Sequence, residues 1–395
     1  MPNSVHAARW IRQLDGQGWD LHLFPAYAQP LHGAMRGLTA YALSSERYSE
    51  LDPSVRLRGL WYTDTGAGRL QYYWGRVFPN TLVDRATWLS GIVRWLKPDL
   101  VHSLEIQHAG YLTLEARKKL RGRFPPLIVS NWGSDIYYFG RFEEHKQKIR
   151  EVMEAADYVQ AECERDLRLA REFGFEGEPF AVVPCGGGFD LEEMRMLRQP
   201  GRPSARRTIV LKGYQGEFGR ALVGLQALSQ CADVLDGYRI VITRATSDVE
   251  AEAKRLAEAT GLEIEIEAGT RKEVLRLHGC SRLFIGLAVS EAANTSMLEA
   301  IAMGSFPIQS CTACADEWLV DGESGFVVPP EDPDTIAAAI RRALADDELV
   351  DRAAELNARM AAERLDEQVV RPQVVRRYTE IMAATSSTIC RAVRE

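Results

Sequence analysis

Two glutamates raise the first chemical question. In SEAANTSMLEAIAMGS, Ser290 to Ser305, Glu291 and Glu299 flank the start of an apolar helical run. Ser296-Met297-Leu298-Glu299 fits the capping box, in which an N-cap serine and an N3 glutamate satisfy each other's backbone donors. That accounts for Glu299 locally and leaves Glu291 unexplained. Glu291 follows the strand-like run RLFIGLA (282–288), and Ala292, Ala293, Asn294, Thr295 and Ser296 lead into the helix. A helix N-terminus there would offer N–H groups to a phosphate, with a carboxylate on either side for sugar hydroxyls. Two polyol rings joined by a diphosphate describe a sugar nucleotide.

A second group fits the same ligand. In LKGYQGEFGRALVGL, Lys212 ends a strand, glycines 213, 216 and 219 loosen the turn, and Arg220 opens a helix. Lysine, arginine and a glycine-rich turn suit a diphosphate. The spacing is neither GxGxxG nor GxxxxGK[ST], and a flexible loop with solvated charges would read the same way.

The elements that must position these residues are legible. Runs such as TIVLKG, YRIVIT, LEIEIE, RLFIGLA and FPIQS alternate with helical patterns in the second half, which means βαβ units and a parallel sheet. The first half repeats this more loosely in DLHLFPAY, DLVHSLE, PLIVSNW, DYVQAE and PFAVVP. A doubly wound domain ordinarily opens on a buried strand, yet here a helix capped by Asn3 or Ser4 starts at once. LRQPGRPSARR (197–207) reads as a linker. The expected architecture is two α/β Rossmann-like domains, residues 1–198 and 206–370, with a helix over 371–395 packing back on the first. In such sheets ligands bind beyond the carboxyl ends of the strands.

Composition narrows the class. The chain has 395 residues, 46% hydrophobic and 26% charged, an ordinary globular balance. Its 48 basic and 55 acidic residues leave −7, which argues against a nucleic-acid partner held by a general basic field. No apolar run approaches the ~20 residues of a spanning helix, and the N-terminus reads as no signal peptide. Seven scattered cysteines suggest reduced thiols and a cytoplasmic setting. Cys311-x-x-Cys314 lacks the second pair or histidines that a zinc site needs, so no metal is expected.

SEAANTSMLEAIAMGSFPIQS, followed by EWLVDGESGFVVPPEDPDTIAAAI, resembles glycosyltransferase family 4, whose members have the two-domain GT-B fold. The hallmark is E-x7-E running into Glu299-Ala300-Ile301-Ala302-Met303-Gly304-Ser305-Phe306-Pro307. KPDLVHS (97–103), SNWGSDI (130–136), AADYVQAECERD (155–166) and PCGGGFD (184–190) extend the likeness over residues 97 to 345. It implies a retaining, metal-independent transfer from a nucleotide-diphosphate sugar, with Glu299 on the ribose and Glu291 on the transferred sugar. Lys212 and Arg220 stand where the family places its basic pair, although Lys-Gly…Gly-Arg replaces the usual Gly-Arg…Lys-Gly. Gly213 and the loop Gly269-Thr270-Arg271 would lie on the donor, the loop near the base, and Asn3 and Ser4 could reach the phosphates.

The first domain would then hold the acceptor, a hydroxyl on a glycan, lipid-linked or protein-linked compound. Family histidines near a strand end point to His108, and Trp132, Ser134 and Asp135 fall on the acceptor side. Asp135 would orient the acceptor or cap the next turn. Segment 26–80 would carry acceptor specificity. The basic run 116–123 would touch anionic lipid weakly at the inner face of the membrane or form a solvated face. A sugar-nucleotide epimerase of the same fold and a non-catalytic partner of a transferase stay open as alternatives.

Overall fold

The computed structural model describes residues 4–27, 30–42, 51–59 and 84–392. The chain forms two compact units, residues 1–187 with 371–395, and residues 188–370.

In the first unit, helix α1 (Val5–Arg12) starts at Ser4, whose side chain accepts from the His6 N–H at 3.2 Å. The expected strand at 20–27 contracts to β1 (His22–Leu23), because Pro25 cannot donate to a ladder. β1 pairs in parallel with β2 (Thr39–Ala42), and β2 with β3 (Arg56–Gly59). A second parallel sheet runs β4 (Val101–Leu104), β5 (Leu127–Ser130), β6 (Tyr158–Ala161), β7 (Glu178–Val182). Helices α2 (Arg85–Leu96), α3 (Tyr111–Lys119), α4 (Glu143–Ala155) and α5 (Glu164–Glu172) connect them.

The second unit is built on a six-stranded parallel sheet ordered β10-β9-β8-β11-β12-β13. Its strands are β8 (Thr208–Lys212), β9 (Arg239–Thr243), β10 (Glu263–Glu267), β11 (Ser281–Gly286), β12 (Phe306–Ser310) and β13 (Phe326–Val328). Ile209, Val210 and Leu211 are fully buried, each contributing roughly 1.5–3 kcal/mol by leaving water. The edge strand β10, Glu-Ile-Glu-Ile-Glu, carries charges that discourage pairing with another chain. Strand order reverses between β8 and β11, so a crevice opens beyond their carboxyl ends.

Helices α6 (Leu191–Met196), α7 (Ala221–Gln230), α8 (Ser247–Thr260), α9 (Arg271–Cys280), α10 (Thr295–Ala302), α11 (Pro333–Ala345) and α12 (Asp347–Arg364) complete this unit. Gly261 ends α8 with φ 75° and Gly304 follows α10 with φ 81°, left-handed positions that glycine takes without a Cβ penalty at helix ends.

The division falls earlier than the Pro- and Arg-rich linker at 197–207. Residues 188–198 belong to the second unit, because the Phe189 N–H donates to Leu365 O at 2.6 Å and Phe189 O accepts from Glu367. The long helix α13 (Glu367–Ala392) belongs to the first unit from Arg371 onward. There Trp10 Nε1 donates to the Tyr378 hydroxyl at 3.0 Å and Arg371 Nε to Gln13 O at 3.0 Å.

Candidate functional site

Lys212 leaves the end of β8 buried and turns its ammonium to Glu291, with which it forms an ion pair. The same ammonium lies 3.3 Å from Asn294 Oδ1 and 4.7 Å from the centre of the Tyr214 ring. Glu291 comes from the loop after β11, across the switch point, so residues 79 positions apart meet where the strand order reverses.

Asn294 is the organising side chain. It is the N-cap of α10, its Oδ1 accepting from the Ser296 N–H at 3.0 Å and the Met297 N–H at 3.3 Å. Its Nδ2 donates to Gln309 Oε1 at 3.2 Å, and Gln309 Nε2 donates to Ser310 Oγ at 3.2 Å. Gly286 makes room, since a Cβ there would stand 2.3 Å from Gln309 Oε1. The Thr295 N–H, at the first helical position, has no acceptor among the described residues. It points from a positive helix end, where an anion is favoured.

The capping box expected at Ser296 does not form. Asn294 takes the cap two residues earlier, and its amide oxygen accepts from the Ser296 N–H that the Glu299 carboxylate would have capped. Glu299 is buried instead against Arg271, Nε to Oε1 2.9 Å, with the guanidinium partly exposed. The capping box of this site belongs to Thr270 and Glu273 at the start of α9. The Thr270 N–H donates to Glu273 Oε2 at 2.6 Å and its carbonyl accepts from Val274, so its backbone is engaged within the cap. Beside it, a Cβ on Gly269 would meet Glu267 Oε1 at 2.6 Å.

The glycine loop is anchored rather than loose. Arg220 N–H donates to Leu287 O at 3.0 Å, and Val289 N–H donates to Phe218 O at 2.8 Å. A Cβ on Gly219 would lie 2.0 Å from Tyr214 O, so the fold of the loop excludes any larger residue. The Arg220 guanidinium donates to Gly216 O and Gly219 O, and its Nε pairs with Glu331 at 2.7 Å. The sequence set Lys212 and Arg220 together as a pair. The structure places Lys212 with Glu291 and Asn294, and Arg220 with Glu331.

In the first unit, Glu105 has φ 92°, rare outside glycine, and ends β4. Its carboxylate caps the π-helical turn Ile106–Gly110, accepting from the His108 N–H at 2.9 Å and lying 2.9 Å from His108 Nδ1. That bond holds the exposed His108 imidazole above its usual pKa, against a smaller opposing desolvation. Asp135 Oδ2 accepts from the Ile106 N–H and the Trp132 N–H, both at 3.0 Å. Burial, and then the Glu105 charge, push its carboxyl well above the carboxylate range. Through these bonds Asp135 ties the turns after β4 and β5 together, rather than capping the turn that follows it.

Trp132 sits beside His6, ring centroids 6.4 Å apart, and the Ser134 carbonyl accepts from Tyr138 at 3.0 Å. His102 is set among the rings of Trp10, Phe180 and Tyr378, with Nε2 2.8 Å from Ser130 Oγ, and desolvation lowers it to about 3. It serves the core. Ser4 is accounted for by its cap, and Asn3 lies outside the described residues, as does much of segment 26–80. In the basic run, Lys118 pairs with Glu115 and Glu151, Lys119 with Asp84, and Arg117 donates to Ala155 O. Cys311 is exposed and Cys314 buried, both as free thiols.

Sequence reasoning missed Gln309, Glu105, Glu331 and Tyr214. Only Gln309 left a signal, a lone amide inside the buried run FPIQS.

Comparison with known proteins bears on the family and the fold. Residues 4–186 match the model of the glycosyl transferase 4-like domain, and residues 225–360 that of glycosyl transferases group 1. No curated protein matches the chain by sequence. Among solved structures, sucrose-phosphate synthase of Thermosynechococcus elongatus is similar with TM-score 0.67 at 15% identity, over 96% of this chain and 93% of that one. HepE of Anabaena, solved in complex with UDP-glucose, is similar with TM-score 0.67 at 14% identity, over 96% and 97%. A glycosyltransferase of Rickettsia africae gives TM-score 0.64 at 14%, over 96% and 93%. At such identities these structures show a shared fold, and the two domain matches carry the family. With a 4-like domain on its first unit and a group 1 domain on its second, the chain belongs to the GT-B glycosyltransferases of the family 4 type.

Proposed function

We propose that the protein moves a sugar from a nucleotide-diphosphate sugar to an acceptor hydroxyl, with retention of anomeric configuration and without a metal ion. The observation that carries this reading is Lys212, buried at the switch point and held by Asn294 beside Glu291. As the bond from sugar to phosphate breaks, negative charge grows on the diphosphate. A buried ammonium and the Thr295 N–H at a helix N-terminus stabilise it better than water does, because they are already oriented. The phosphate competes with Glu291 for Lys212, which frees that carboxylate for hydroxyls of the transferred sugar. Arg220 adds a second cation from the glycine loop, and Glu299 takes the ribose hydroxyls.

On the first unit, His108, Asp135, Trp132 and Ser134 are assigned to the acceptor side. The acceptor is a hydroxyl of a glycan, lipid-linked or protein-linked compound, in the synthesis of surface polysaccharide, glycolipid or glycoconjugate. The reading sets the enzyme in the cytoplasm, with any contact at the membrane surface resting on Arg121 and Arg123. No helix among the described residues is long and apolar enough to cross a membrane.

The test is a thermal-shift screen against UDP, GDP, ADP, CMP and their sugars, beginning with UDP-glucose, followed by product analysis. Stabilisation by one nucleotide family and transfer only when an acceptor is present support the reading. Conversion of donor alone to an isomeric sugar nucleotide makes it an epimerase, and no affinity for any nucleotide makes it a non-catalytic partner.

A further inference from the structure

Glu105 stands at a backbone position that suits glycine. Its φ of 92° and ψ of 152° fall in a region that residues with a side chain almost never occupy. The chain then makes the π-helical turn Ile106–Gly110, the Gly110 N–H donating to Glu105 O at 3.0 Å. Strained residues and π turns both gather at functional sites. The carboxylate, 5% exposed, accepts from the His108 N–H at 2.9 Å and the Ala109 N–H at 3.3 Å. Capping the turn explains those two bonds. It does not explain the third, 2.9 Å from Glu105 Oε1 to His108 Nδ1.

That third bond selects a nitrogen. A carboxylate accepts, so Nδ1 carries the hydrogen, and in the neutral ring Nε2 is left as the acceptor. Nε2 has no partner among the described residues, and the His108 side chain is 54% exposed. The Tyr27 ring packs on the imidazole, the two centroids 5.0 Å apart. The titratable groups around the imidazole are Glu105 and Tyr27, with Asp135 and Tyr111 next to Glu105. Tyr27, Glu105 and Asp135 follow β1, β4 and β5, and ligands of such sheets bind beyond the carboxyl ends of the strands.

We propose that Glu105 is a positioning residue that makes His108 Nε2 the general base for the acceptor hydroxyl. The proposal rests on the transferase reading above. As the acceptor oxygen bonds to the anomeric carbon, its proton passes to Nε2. The C–O bond to the diphosphate breaks, and its electron pair leaves with the phosphate oxygen. The imidazolium keeps its Nδ1–H on Glu105, which stabilises the new charge, and then gives the Nε2 proton to water. The same carboxylate holds the ring above its usual pKa, toward the neutral pH at which a base works best.

The experiment follows release of UDP from UDP-glucose by the full chain, with water as the acceptor, between about pH 5 and 9. If another sugar nucleotide stabilises the chain more in the thermal-shift screen, it takes the place of UDP-glucose. The rate is expected to rise with pH to a plateau, through an apparent pKa above about 6.5. Glu105→Gln keeps an acceptor for the turn but no charge. It should bring that pKa down to about 6.5 or below and lower the plateau roughly 10- to 100-fold. His108→Ala, at an exposed side chain, should lose about 100-fold or more and regain part of the rate with added imidazole. A mere brace would not be rescued in this way. Nitrogen-15 histidine NMR needs no turnover and decides the matter where water reacts too slowly or Glu105→Gln fails to fold. It should find the neutral His108 ring protonated on Nδ1, with Nε2 bare. Protonation on Nε2 instead overturns the proposal, as does a rate that ignores pH or falls as His108 loses its proton. Sugar-nucleotide binding with turnover indifferent to His108 sinks the base alone. Neither binding nor turnover with any sugar nucleotide sinks the transferase reading, and the base with it.

Discussion

Glu299 and Arg271 pair at 2.9 Å, the carboxylate buried and the guanidinium partly exposed. The pair fixes Glu299 at the mouth of the crevice and also competes with any ribose that would bind it. Glu299→Ala is therefore expected to raise donor KM about tenfold or more, ~1.4 kcal/mol of binding, with kcat less affected. Initial rates over a donor titration measure this. Unchanged KM removes Glu299 from the donor site.

Lys212 and Arg220 act on developing charge in the proposed reaction, so their loss should fall on kcat. Each such donor is worth roughly 3 kcal/mol, a factor of about 100 or more. Lys212→Ala and Arg220→Ala are each expected to lose at least that in single-turnover rate. Normal turnover in the Arg220 variant would reduce that residue to a brace between the glycine loop and Glu331.

Gln309 is expected to act through Asn294. Gln309→Leu leaves the buried Asn294 Nδ2 without its acceptor, which costs about 1–3 kcal/mol, and loosens the amide that holds Lys212. Urea denaturation should show the loss of stability. The turnover rate should fall while KM for the donor stays closer to that of the parent. A fall in stability with full kcat would confine Gln309 to the core.

Gly219 has no room for a side chain. Gly219→Ala puts a methyl against Tyr214 O and forces the loop off Leu287 and Val289. Weaker nucleotide binding in calorimetry, with the circular-dichroism spectrum preserved, is the expected result. Unaltered affinity would show that the loop does not shape the donor site.

The Glu105–Asp135 pair gives stability a pH dependence of known sign. Asp135 holds its proton more tightly folded than unfolded, so its contribution is present at low pH. It is lost as pH rises from about 4 through the folded pKa. His108, also raised, contributes fully below about 6.5 and loses its contribution as pH climbs through its folded value. Asparagine can accept both N–H groups at one oxygen, as Asp135 Oδ2 does, without the repulsion from Glu105. Asp135→Asn should therefore compare more favourably with the parent at pH 7 than at pH 4 in urea titrations. Strong destabilisation confined to pH 7 would show that the charge itself is required.

Much of this protein is decided locally. Alternation of buried strands with amphipathic helices and Ser4 as a cap depend on neighbours within a few residues. These features were legible in the chain. The E-x7-E spacing and its setting after β11 likewise identified the family before any contact was known. Other features depend on which groups long-range packing brings together. Asn294 outcompetes Ser296 for the cap because Gln309 and Lys212 hold its amide from two other strands. Glu299 turns to Arg271 because α9 delivers a cation there, and residues 188–198 join the second unit through Phe189 and the 365–367 backbone. Local patterns fix what a residue can bond to. The sheet order fixes which of those partners arrives, and that choice was made by the tertiary structure.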